Sequence, residues 1–204
     1  MNMNSFTPEQ TDTLQEIVNI AMGQAGDSLA RVLDNFVQLS VPRIKLIDAA
    51  DIGPWISGLV KSDTLITAVR QSFHDDLSGE AITIFSAEGC RDLSDLMGYQ
   101  TDLDPLTEKE VLFDVSNILV GACLNGIAEQ LNANLSFSAP SLIAENSPIR
   151  TLLAENSLPW DYALQVEVNF SLEGRNFMSH LIIMMAEDTI GSLQSSLDTF
   201  FETG

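Results

Sequence analysis

The sequence predicts an α+β fold in which an antiparallel sheet is flanked by two long helices, and three observations lead there. Two long stretches, one from about Thr7 to Leu33 and one from Asp104-Pro105 to about Leu131, carry helical periodicity behind clear start signals. Each is followed by an apolar run broken by a proline and then by two further strand-like runs. Finally, a shift of 98 residues lays the second half on the first, so the expected architecture is α-β-β-β-α twice, related by a pseudo-twofold axis. The chain of 204 residues is expected to form a single domain built of two repeats, about 7–100 and 104–204, and to be a monomer with internal pseudo-symmetry.

Thr7, Pro8 and Gln10 supply an N-cap, a proline in the first turn and a partner for a capping box, with Asp34-Asn35 as the helix exit. Leu14, Ile17, Val18, Ala21, Ala25, Leu29 and Val32 spread over one side, which a core would take. Phe36 to Ile47 reads as a strand interrupted by Pro42, which suits an edge or a bend because proline cannot donate to a ladder. Asp51 to Val60 reads as a loop with about one helical turn. Thr64 to Ser72 and Glu80 to Ser86 read as strands joined by the turn Asp75-Asp76-Leu77-Ser78-Gly79, and Arg91 to Tyr99 as a short amphipathic helix. In the second half Leu135 to Ile143 is a strand through Pro140, and Ser147 to Leu153 a short helix. Tyr162 to Leu172 and Phe177 to Met185 form a hairpin around Glu173-Gly174, and Asp188 to Phe201 is the closing helix.

On the first helix Asp12, Glu16, Asn19 and Gly23 fall within about 60° of one another, a longitudinal stripe facing away from the apolar side. A polar stripe is ordinarily just solvated. Here Gly23 stands on it, where glycine costs about 1 kcal/mol relative to alanine unless another backbone comes close. The shift of 98 residues also places Glu110 on Asp12, Asp114 on Glu16, Asn117 on Asn19, Gly121 on Gly23 and Pro140 on Pro42. Amide, glycine and proline recur together at one spacing, which favours a functional stripe.

The spacing Asp12-x3-Glu16-x2-Asn19-x22-Pro42 resembles the signature of the CheC/CheX/FliY family of chemotaxis phosphatases, and Asn19-Ile20-Ala21-Met22-Gly23 is similar to that family's helix. The first copy matches at every position. The second departs from it, with Glu110 for Asp or Ser and Asp114 for Glu. The resemblance implies removal of the phosphoryl group from the aspartyl phosphate of a CheY-like receiver, which contributes the Asp, the Lys and the Mg²⁺; the chain needs no cofactor of its own. It implies that Asn19 orients the attacking water and that Glu16 engages the receiver lysine, with Asp114 and Asn117 as their counterparts. Asp12, Gly23, Pro42, Glu110, Gly121 and Pro140 would bind or support. A CheD-like deamidase is a further expected partner. Neither the SpoA-type extension of FliY nor an N-terminal receiver-binding peptide is expected.

Composition and chemistry narrow the alternatives. A net charge of −20 and only nine Lys and Arg residues argue against binding a nucleic-acid backbone or an anionic membrane. The longest apolar run, Leu181 to Ala186, is too short to span a bilayer, and Met1 to Ser5 lack the regions of a signal peptide, so the expected location is cytoplasmic. Cys90 and Cys123 lack metal-ligand spacing and are expected to be reduced and packed. His180 reads as a satisfied or half-exposed sheet residue, and Asp75-Asp76 as a turn rather than a metal site. No phosphate loop, hydrolytic triad or metal cluster is evident. What remains is an uncharged amide near a carboxylate, suited to positioning at another protein's phosphoryl group. A non-catalytic module that sequesters a phospho-receiver or a CheD-like partner is the alternative, and a structural component of a motor or receptor array the least favoured.

Overall fold

The computed structural model describes residues 6–48, 64–87, 105–149, 162–172, 178–185 and 187–203, together with Asp51, Pro54, Trp55, Gly58 and Leu93. Helix α1 runs Pro8–Leu33 and closes the expected capping box: Thr7 N–H donates to Gln10 Oε1 at 3.0 Å and Gln10 N–H to Thr7 Oγ1 at 3.1 Å. It ends at Asp34, whose φ of 46° is the left-handed cap. Strands β1 (Val37–Leu39) and β2 (Arg43–Asp48) follow, separated at Pro42. Then come β3 (Leu65–Asp75) and β4 (Gly79–Ser86), helix α2 (Pro105–Leu131), strands β5 (Leu135–Phe137), β6 (Ser141–Pro148), β7 (Tyr162–Leu172) and β8 (Met178–Met185), and helix α3 (Glu187–Thr203). Helix α2 ends like α1, with Asn132 at φ 51° and Ala133 N–H bonded to the Ala128 carbonyl at 2.9 Å.

All eight described strands form one antiparallel sheet in the order β1-β7-β8-β4-β3-β5, with β2 also on β7 and β6 also on β3. The strands that follow α1 therefore lie against a strand of the second half, and those that follow α2 against a strand of the first. Each break in these edge strands is bridged the same way. Ser40, two residues before Pro42, donates its N–H to the Asn169 carbonyl and accepts from Asn169 N–H, both at 3.0 Å. Ser138, two residues before Pro140, does the same with Ser72, at 2.9 and 3.0 Å. The serine hydroxyl thus keeps the ladder closed where the proline region interrupts it.

The main core lies between one face of the sheet and the helices. Leu14, Val18, Ala21 and Leu29 of α1 meet Val115, Leu119, Cys123 and Ile127 of α2, with Val69, Phe73, Phe85, Leu181 and Ile183 from the sheet. A smaller cluster, including Ile66, Ile82, Ile84 and Ile182, covers the other face. Two helical glycines allow close packing. A Cβ on Gly126 would lie 2.7 Å from that of Ala21, and one on Gly26 would lie 2.7 Å from Cδ1 of Leu39. By length and apolar composition Leu106–Leu131 is sufficient to cross a membrane, but most of its apolar residues belong to the core just described.

Three expectations are corrected. Val32, assigned to the core side, is 48% exposed on the last turn of α1. Ser147 and Pro148, assigned to a short helix, extend β6, opposite Ile66 and Leu65 of β3; an edge position tolerates the proline because its missing N–H need not pair. His180 is neither satisfied nor half-exposed: it is buried, and its Nδ1 has no partner among the described residues. Burial lowers its pKa, an effect that Glu167 nearby partly opposes. Of the two cysteines, Cys123 is buried and its thiol is pushed up to about 12 by desolvation, while Cys90 lies outside the described residues. Outside them too lie Arg91–Tyr99 except Leu93, most of Asp51–Val60, and the Glu173-Gly174 turn. Asp76 lies in the turn between β3 and β4 as expected, and its carboxylate ties that turn to the segment after α2, accepting from Asn134 N–H at 2.7 Å and its Nδ2 at 3.0 Å.

Candidate functional site

The α1 stripe stands as the periodicity requires. Asp12, Glu16, Asn19 and Gly23 are all exposed, while Leu14, Ile17, Val18 and Ala21 between them are buried. The helix is anchored by its sheet-facing side, so the opposite stripe is held rigidly without using its own side chains. Neither Glu16 nor Asn19 has a hydrogen-bond or ion-pair partner among the described residues, so both head groups are available to a docking molecule. A Cβ added at Gly23 would meet nothing within 4 Å. No packing inside the described chain requires that glycine. Ile20, next to Asn19, is 44% exposed, and Val41, next to the buried Pro42, is 68% exposed.

The α2 stripe differs from the first. Glu110, Asp114 and Asn117 are exposed and Gly121 is half-buried, again with nothing within 4 Å of an added Cβ. Asn117, however, is held. Its Oδ1 accepts a hydrogen bond from Nε2 of Gln71 at 2.9 Å, and the same Nε2 donates to the Ser138 carbonyl at 3.0 Å. Gln71 lies on β3, is 2% exposed, and shares the helix-facing side of the sheet with Val69 and Phe73. The second stripe is thus joined to the Pro140 loop through a strand of the other half.

Gln71 was not among the residues the sequence suggested, and only its place two strand positions from apolar Val69 and Phe73, a polar residue on an inward face, hinted at it. Lys109 also ties α2 to β6, through a 3.1 Å ion pair with Glu145.

Against known proteins, the model of the CheC-like family matches residues 9–46, the segment that holds Asp12, Glu16, Asn19, Gly23 and Pro42. The chain is 27% identical over 176 residues to the CheY-P phosphatase CheC of Bacillus subtilis (strain 168), covering 81% of this chain and 82% of that protein. The fold of the chain is similar to that of FliY from Thermotoga maritima, with a TM-score of 0.72 at 18% identity over 96% of this chain and 98% of the other. It is shared with FliM of H. pylori, seen in a complex with SpeE, with a TM-score of 0.69 at 9% identity over 98% of this chain and the whole of the other. The sequence is thus similar to a protein named as a phosphatase and the fold to one solved as a partner in a complex, so the chemistry of this chain must be argued from its stripes.

Proposed function

We propose that the chain is a phosphatase for the aspartyl phosphate of a CheY-like receiver, working by docking its α1 stripe over the partner's phosphorylation site. The observation that carries this is the pair Glu16 and Asn19, exposed and unpartnered on a rigid helix within the segment that matches the CheC-like family. The relationship to Bacillus CheC points the same way.

The chain's own contribution is positioning. Residues three apart on a helix have Cβ atoms about 5–6 Å from each other, so one docked helix offers a carboxylate and an amide to neighbouring groups at once. The Asn19 amide is neutral and approaches a phosphoryl group without repulsion; through its oxygen and NH₂ it holds a water in line for attack. Glu16 pairs with the receiver lysine and fixes the depth of insertion. Aspartate, lysine and Mg²⁺ belong to the receiver, and phosphoryl transfer asks for little more than alignment and charge stabilisation. Open space beside Gly23 leaves room for the partner backbone.

A non-catalytic reading is favoured by the shared fold with FliM, which is solved in a complex. Mixing the chain at a tenth of the concentration of a phosphorylated CheY-like receiver separates the two. Several receivers dephosphorylated per chain establish the phosphatase. Protection or loss limited to one receiver per stripe establishes a binding module.

A further inference from the structure

The two stripes present their asparagines differently, and the difference lies in a residue outside both. In the α2 stripe Gln71 takes the Asn117 carbonyl oxygen at 2.9 Å while its other Nε2 proton goes to the Ser138 carbonyl at 3.0 Å. A backbone carbonyl only accepts, so the Gln71 amide can be oriented only with nitrogen toward Ser138. Asn117 must then offer its oxygen to Gln71, which leaves its Nδ2 hydrogens as the part free for a docked molecule. In the α1 stripe the same ladder position holds no such donor. Ser40 pairs with Asn169 as Ser138 pairs with Ser72, and the residue before Asn169 is Val168, where Gln71 precedes Ser72. Asn19 has no partner among the described residues.

We propose that Gln71 is a positioning residue of a second receiver-directed site on α2, fixing the rotamer of Asn117 so that its NH₂ is already aimed outward before any partner arrives. Gln71 is nearly completely buried and its Oε1 has no partner among the described residues, so it has not been placed there for its own satisfaction. Side chains locked by a buried hydrogen bond lose little freedom on docking, whereas a free one must be ordered in the complex. The α2 site is thereby set in advance, which offsets the shorter reach of Asp114. The α1 site is adjustable.

This inference rests on the phosphatase reading, and the experiment separates the two. Turnover of a phosphorylated receiver is measured in the Asn19→Ala chain, where only α2 works, with and without Gln71→Met, which keeps the volume and removes the donor. The expected result is a kcat lowered roughly three- to tenfold, the factor for ordering one side chain, at unchanged KM. Once Asn117 is alanine, with Asn19 intact, Gln71→Met should cause no additional loss. Unchanged or raised kcat in the Asn19→Ala chain overturns the proposal. So does an equal loss in both backgrounds, because a general packing role would act on both. The side-chain amide signals of the unmodified protein give a readout that needs no turnover. Both Gln71 Nε2 protons should be protected from solvent exchange, and Asn117→Ala should release one of them; two freely exchanging protons overturn the proposal. If the wild-type chain turns over no receiver, the phosphatase reading falls, and the amide signals still decide whether Gln71 holds Asn117.

Discussion

Gly23→Ala and Gly126→Ala make the same chemical change on the two neighbouring helices, so the gain in helix propensity, about 1 kcal/mol, cancels when they are compared. At Gly23 the new methyl meets nothing within 4 Å. The gain there should be realised in full, raising Tm by roughly 2–4 °C for a chain of this size. At Gly126 the methyl would lie 2.7 Å from Cβ and 2.9 Å from Cα of Ala21, and 2.8 Å from Oε1 of Gln24. Gln24 can swing aside, but a backbone Cα cannot move unless α1 and α2 separate. Overpacking of this kind costs about 1–3 kcal/mol, and that is the expected difference between the two variants. Urea unfolding read from the midpoint at constant slope measures it directly. Equal stability of the two variants would show that α1 and α2 do not cross at Ala21 and Gly126; a destabilised Gly23→Ala would show that the stripe is not open.

The open space at Gly23 also predicts that Gly23→Leu folds at least as stably as wild type while weakening receiver binding, and unchanged receiver affinity would remove the glycine from the docking surface. Asp114→Glu in an Asn19→Ala chain should raise the remaining dephosphorylation, since a side chain about 1 Å too short can cost on the order of 10²-fold in a positioning reaction; no gain would show that reach does not limit the α2 site. His180 predicts an acid-sensitive fold. Its folded pKa is lowered, so above about pH 6.5 the histidine is neutral folded or unfolded and contributes no pH dependence. As pH falls below that, the unfolded chain takes the proton more readily and stability drops, levelling once pH passes the folded pKa. His180→Gln should flatten that part of the stability profile, and an identical profile would assign it to other groups.

The helices were legible because their signals are local. The capping box at Thr7 and Gln10, the αL exit at Asp34 and the exposed stripe from Asp12 to Gly23 all follow from residues within a few turns of one another. The two proline breaks were legible for the same reason. What the order of residues does not display is which strand covers which. β1 and β2 pair with β7, more than a hundred residues away, and β5 and β6 return to β3. Ser147 and Pro148 were misassigned because an edge strand backed by β3 is a tertiary fact that local propensity does not carry. Gln71 escaped notice for a like reason: its partners Asn117 and Ser138 are 46 and 67 residues away. Gly26 and Gly126 gave no signal in the sequence, because the contacts that need them, with Leu39 and Ala21, arise only in the fold.

The central claim is that the exposed asparagines perform catalysis rather than only contact a partner. Its most direct test is the rate of phosphoryl loss from a saturating phosphorylated CheY-like receiver in the presence of the Asn19→Ala, Asn117→Ala double variant, with folding confirmed by an unchanged unfolding midpoint. Removal of one positioning group of this kind typically costs about 10²- to 10³-fold in kcat, so the double variant should leave the receiver decaying at nearly its own rate while still binding it. Turnover near that of the wild-type chain in a folded double variant would contradict the account.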